Sequence, residues 1–180
     1  SKNFHEGYII AWRSLTSATN RRTMLATLLP LIPTCQSIQI LQLDNIDDML
    51  QILVLFNSII FDYIVRLKMA GLDLTQTIIK QIPVPKKEIY ESVIVFQDKE
   101  DTIRNHVYAR IKYLYAKDKR VSALFENNDI CDSTKKSRKQ IISELDCLVG
   151  AMYGLSTEQI KEIASTFDKY YTKKEVEQWF

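Results

Sequence analysis

Arg13, Asn20, Arg21 and Arg22 fall in one short stretch, and their side chains suit base edges in a DNA groove. Arginine offers guanine a fork of donors, and asparagine matches the donor and acceptor of adenine. The other chemically promising residues are also basic. Lys80, Lys86 and Lys87 flank Pro83-Val84-Pro85, and residues 104–120 carry Arg104, Arg110, Lys112, Lys117, Lys119 and Arg120 against one acid, Asp118. Lys135, Lys136, Arg138 and Lys139 form a further cluster. Such clusters either neutralise phosphates or simply keep a helix face in water. Tyr108, Tyr113 and Tyr115 interleave with the first cluster, but helical spacing sends at least one of them to the core. Arg22 also has a structural reading, as a brace tying its loop to backbone carbonyls. Arg21 reads equally as a contact or as plain solvent exposure.

Catalytic arrays are missing from the sequence. Gly7, Gly71, Gly150 and Gly154 are scattered, so no glycine-rich cofactor loop exists, and Asn-Pro-Pro-Tyr does not occur. No acid–x–lysine array of the nuclease kind is present. His5 and His106 stand a hundred residues apart, without metal-ligand spacing, and both read as surface residues. Asp47-Asp48 diverge on a helix and suit its positively polarised first turn better than paired acid–base work. The chain is therefore expected to be non-catalytic by itself, with no cofactor or metal of its own.

At 180 residues and net charge +2, the chain has length for a real core but no overall basicity. Any nucleic-acid surface must be local. Cys35, Cys131 and Cys147 are odd in number and widely spaced, which reads as reduced thiols of a cytoplasmic protein. No signal or transit sequence opens the chain. It starts Ser1-Lys2-Asn3-Phe4 without methionine, so a piece of a longer protein is expected.

The elements that must position these residues follow from periodicity. Residues 8–13, 23–29 and 35–43 read as strands of a small antiparallel sheet. Met49–Phe56 and Ile59–Ala70 read as buried helices joined at Asn57-Ser58; Gln51, Asn57, Asp62 and Arg66 interrupt them too often for a membrane span. Pro83 and Pro85 enforce an extended exit. From Lys86 the composition predicts helices only, the first capped by Asp98 and running to about Lys117, then a polar loop over 118–136. Ser137–Tyr153 is amphipathic and ends at Gly154 as a left-handed cap. Ser156 with Gln159, and Thr172 with Glu175, have capping-box spacing, with Leu155–Ile160 and Tyr171–Val176 as staples. The fold class is α+β: a small sheet packed with helices over 1–87, then a mainly helical subdomain over 88–180.

Three blocks resemble a known family. They are Trp12-Arg13 through Thr19-Asn20-Arg21-Arg22-Thr23 to Pro30, then Phe56-Asn57-Ser58 with Arg66, Gly71 and Ile82-Pro83-Val84-Pro85, then Glu144-Leu-Asp146 through Tyr153-Gly154-Leu155. Together they are similar to the target-recognition end of fused type II (type IIG-like) restriction–modification enzymes, bacterial defence proteins that join endonuclease, adenine methyltransferase and recognition domain. Ser14, Arg21 and Phe56 depart from that pattern, where aspartate, an acid and leucine are commoner. The resemblance implies sequence-specific recognition of double-stranded DNA, holding a target whose adenine is methylated after flipping. Arg13, Asn20, Arg21, Arg22, Lys80, Lys86, Lys87, Arg110, Lys112 and Lys117 would then face DNA. Partners would be duplex DNA and the catalytic domains of the same chain, with S-adenosylmethionine and magnesium bound outside this piece. One alternative is the specificity subunit of a type I restriction system, which shares the Asn-Ser…Pro-x-Pro segment. Another is a helical interaction module that docks onto the catalytic domain and never touches DNA.

Overall fold

A computed structural model describes residues 7–125 and 136–180. It is α+β, with strands β1 (Tyr8–Arg13), β2 (Ala26–Pro30) and β3 (Ile38–Leu41) forming an antiparallel sheet in the order β2-β1-β3. Tyr8 pairs with Pro30 and Trp12 with Ala26. Pro30 is tolerated because β2 is an edge strand, where one face of the ladder has no partner. Ile9 to Trp12 are buried on both sides of the sheet.

Helices α1 (Ile46–Asn57) and α2 (Ile59–Lys68) follow, bent by 64° at the junction. Asn45 caps α1 through its carboxamide, and Asp47 and Asp48 occupy the first turn as their charge requires. Ser58 makes the corner. Its Oγ accepts from Phe61 N at 3.1 Å, starting α2, and donates to Leu55 O at 3.0 Å, ending α1. No single described helix is long and apolar enough to cross a membrane. Short helices α3 (Gln76–Lys80) and α4 (Lys87–Tyr90) flank the Pro-Val-Pro exit.

Beyond Lys86 the expectation of helices alone fails. Strands β4 (Val93–Phe96) and β5 (Lys99–Thr102) form a hairpin around Gln97-Asp98. Both turn residues have positive φ, 54° and 61°, the pattern of the tight turn whose twist matches the strands. Asp98 therefore sits in a turn and caps nothing. Thr102 caps α5 (Ile103–Tyr115), accepting from Asn105 N at 3.2 Å.

The chain closes with α6 (Arg138–Met152), α7 (Thr157–Ser165) and α8 (Lys173–Trp179). Capping boxes at Ser137–Gln140, Ser156–Gln159 and Thr172–Glu175 start all three. Gly154, at φ +71°, ends α6, with Leu155 N donating to Gly150 O at 3.0 Å and Gly154 N to Ala151 O at 2.9 Å. The expected loop contains a single 3-10 turn, Ser122–Phe125, before residues that lie outside the described part. Lys135, Cys131 and His5 fall outside it too.

One buried cluster runs from Ile10 and Trp12 through Phe56, Ile59 and Phe61 to Leu148, Phe167 and Tyr171. Strands and helices occur on both sides of position 87, and the core continues across it.

Candidate functional site

The three resembling blocks meet around two buried acids. Asp62 of α2 has no exposed surface, and its carboxylate accepts Arg22 Nε at 2.7 Å and Thr23 N at 3.0 Å. Arg22 also donates from Nη2 to Asn57 O at 2.6 Å. Burial alone would lower the Arg22 pKa, but Asp62 and Asp146 raise it overall, so the guanidinium stays charged. Arg66, one turn after Asp62, donates to Thr23 Oγ1 at 3.1 Å and to the carbonyls of Asn20 and Arg21 at 2.9 and 3.1 Å. Its guanidinium lies 3.9 Å from the Phe167 ring centre. Asn57 stands in for a missing strand at the edge of β2, accepting from Ala26 N at 3.1 Å and donating to Ala26 O at 2.9 Å.

Asp146 of α6 is the second acid. Its Oδ1 accepts from Ile59 N at 2.9 Å, capping α2 from another helix, and its Oδ2 accepts the Tyr171 hydroxyl at 2.7 Å. Burial raises its pKa to about 6 despite those donors and Arg22. Tyr153 reaches from the end of α6 to donate to Pro83 O at 2.7 Å, which joins the third block to the Pro-Val-Pro exit.

The consequence is a rigid loop over residues 14–25. Thr16 Oγ1 donates to Thr23 O at 2.8 Å, and Asn20 Nδ2 reaches Thr16 Oγ1 at 3.3 Å. Lys169 holds Thr19 O from the far end of the sequence at 3.0 Å. Arg13 and Arg21 emerge exposed from this frame. Arg21 lies over the Tyr170 ring at 5.4 Å, with Arg22 and Lys139 near the same ring at 5.2 and 5.5 Å.

The expected DNA-facing residues separate into braces and surface groups. Arg22 and Arg110 are braces, each buried in ion pairs. Arg110 Nε meets Glu144 Oε2 at 2.7 Å, and Lys136 meets Glu144 Oε1 at 2.5 Å. Arg110 Nη2 reaches Gln97 Oε1 at 3.2 Å, and the guanidinium lies 4.7 Å from the Phe96 ring, so this arginine locks the hairpin to α6. Lys112 is buried as well. Lys87 pairs with Asp48 at 2.6 Å, Arg104 pairs with Glu91, and Lys139 pairs with Glu175 at 2.6 Å. Lys80, Lys86, Lys117 and Lys119 remain exposed. Among the described residues, neither positive stretch is thus an unbroken solvated row of cations. His106, expected at the surface, is buried against Phe96, with rings 5.8 Å apart. Its pKa falls through burial and the nearby Arg110.

A cleft of about 420 Å³ opens between β2, α1, α5 and α6. Leu25, Leu53, Ile111 and Leu145 line its walls, Arg22, Asn57 and Asp146 its floor, and Arg120, Arg138 and Tyr170 its margin. A shallower hollow holding Arg13 shares Leu25, Ala26 and Thr27 with it, so the two adjoin. Tyr170 had no role in the sequence reading, and Arg138 appeared there only as a member of the second basic cluster. Asp62 appeared there only as a polar interruption, although an acid inside an apolar helix, one turn before an arginine, is a signal of burial with a partner. Among the described residues no three His, Cys, Asp or Glu side chains gather to hold a metal ion. No family model, curated protein or solved structure matches the chain.

Proposed function

We propose that this chain is the DNA-recognising part of a restriction–modification protein, gripping double-stranded DNA for catalytic domains that lie outside it. The observation that carries the reading is the run of arginines along two adjoining hollows. Arg13 stands at one end, Arg21 projects over Tyr170, and Arg120 and Arg138 border the larger cleft. Arg13 ends strand β1, and the loop bearing Arg21 is braced by Asp62 and Arg66, so ordering it on a duplex costs little. Arg13 and Arg21 would read base edges, while Lys117 and Lys119 would meet phosphates.

Salt-titrated binding to a specific and a scrambled duplex tests this, with the chain alone and within any longer protein that contains it. Arg21→Ala should cost about 1–3 kcal/mol on the specific duplex and relax choice at one base pair. Lys117→Ala with Lys119→Ala should weaken all duplexes alike and flatten the salt dependence. If none of these changes alters binding, DNA does not touch this face. The docking module would then be the better account, and it has its own support: Leu15 and Leu72 are 64% and 65% exposed and are held together by the Thr16 N–Leu72 O hydrogen bond.

A further inference from the structure

The floor and depth of the larger cleft exceed what gripping a duplex backbone requires. At about 420 Å³ it lies within the range of small-molecule sites, and its walls are apolar. Two charged groups lie at its base. Arg22, which lines the cleft, commits Nε to Asp62 and Nη2 to Asn57 O and bonds the Tyr170 side chain, out of the five N–H donors a guanidinium offers. Asp146 takes one hydrogen bond on each oxygen, from Ile59 N and Tyr171, and each oxygen keeps a further lone pair. A donor beside an acceptor at the bottom of an apolar slot complements the edge of a nitrogen heterocycle.

The margin has a different chemistry. Arg138 gives Nη1 to Leu114 O at 2.8 Å, and among the described residues nothing takes Nη2, which can meet an anion. Arg120 is oriented by Asp118, with Nε and Nη2 at 2.9 and 2.6 Å from its oxygens, and keeps Nη1. Two partly anchored guanidiniums, with aromatic Tyr115 and Tyr170 also lining the cleft, suit a phosphate joined to a flat ring. A fatty acid would offer nothing to the remaining donor and acceptor capacity of Arg22 and Asp146, and a bare phosphate would leave the walls unused.

We propose that this cleft binds a nucleoside monophosphate unit, base against Arg22 and Asp146, phosphate between Arg120 and Arg138. A free mononucleotide and an unpaired nucleotide of bound DNA present the same chemistry, and the site does not depend on the duplex reading.

The test titrates the chain with the four deoxynucleoside 5′-monophosphates and the matching nucleosides, following amide shifts by NMR. At least one monophosphate should bind with Kd below about 1 mM, and its nucleoside about ten-fold more weakly. Arg138→Ala, at an exposed side chain, should erase that difference without lowering Tm. Ile142→Trp, which fills the cleft from α6, should abolish binding of both while the spectrum stays folded. Competition by a mismatched duplex, and not by a fully paired one, would mark DNA as the source; competition by neither would mark the free nucleotide. No binding of any monophosphate to the folded chain at about 10 mM overturns the proposal. Binding that survives both substitutions does so too, because it would then be surface attraction of an anion. Loss of all duplex binding with monophosphate binding retained would sink the DNA-recognition reading and leave this one standing.

Discussion

Asp62 holds the loop that carries the exposed Arg21, because one carboxylate takes both a guanidinium and a backbone N–H from it. Replacing it with asparagine removes the charge that keeps Arg22 paired in a dry site. Asp62→Asn should cost about 3–5 kcal/mol, the usual penalty for orphaning a buried ion, read as a drop in Tm and in denaturant midpoint. Asp146 makes a separate prediction in pH. Burial raises its pKa to about 6 from an ordinary 3.8, so the folded state holds a proton that the unfolded state has released. Its contribution to stability therefore falls as pH rises from about 4 through about 6, by up to about 3 kcal/mol, and levels off above. Glu144, Glu175 and Asp118 are shifted downward and act in the opposite direction. Denaturation of wild type and Asp146→Asn side by side removes them from the comparison: the stability gap should shrink in the variant's favour across that window. A gap constant in pH would show that Asp146 is not the group being titrated. These acids were legible in sequence only as oddities in apolar helices. Their partners lie 40 and 25 residues away, and no local pattern encodes that distance.

Local rules served better wherever the physics is local. Ser156–Gln159, Thr172–Glu175 and Gly154 are read within a turn of one another, and all three sit where spacing placed them. A β-branched residue at Gly154 must adopt φ +71°, so Gly154→Val should lower stability by about 1 kcal/mol or more in thermal melts. The β4–β5 hairpin escaped the same reading because its turn is Gln97-Asp98, without the Asn-Gly that normally announces it. What sustains the left-handed turn is tertiary: Gln97 Oε1 accepts from Lys136 Nζ at 2.6 Å and from Arg110 at 3.2 Å. Asp98 has φ 61°, so Asp98→Gly should relieve strain and raise the unfolding free energy by up to about 1 kcal/mol. An unchanged or lowered midpoint in urea would mean that the turn stores no strain at that residue. The candidate site was legible to a similar degree. Arg13 and Arg21 are exposed as a DNA contact requires, whereas Arg110 disappeared into a helix-to-hairpin lock that composition cannot distinguish from a basic patch.

Across the whole molecule, elements from both ends of the sequence complete one another. The first N–H of α2 is capped by Asp146 of α6, Arg66 of α2 rests on Phe167 after α7, and Pro83 receives the Tyr153 hydroxyl. Phe61 and Ile59 have no exposed surface and share one buried cluster with Leu148 and Phe167. A fragment of residues 1–87 would open that cluster and leave the Ile59 N–H without its carboxylate. It would keep the Arg22–Asp62 pair but expose Ile59, Phe61 and Val65, each worth about 1.5–3 kcal/mol when buried. Losing those three contacts, worth about 5–9 kcal/mol together, is comparable to the roughly 5–15 kcal/mol by which a domain of this size is ordinarily stable. The fragment should therefore lack a cooperative melt and show poorly dispersed amide signals, while the 180-residue chain unfolds in one transition. Adding residues 88–180 in trans should restore the melt if the two pieces fold only against each other. A sharp, independent transition for 1–87 would mean that the N-terminal half is a true domain. Loss of Asp146 should then leave Arg13 and the loop carrying Arg21 undisturbed.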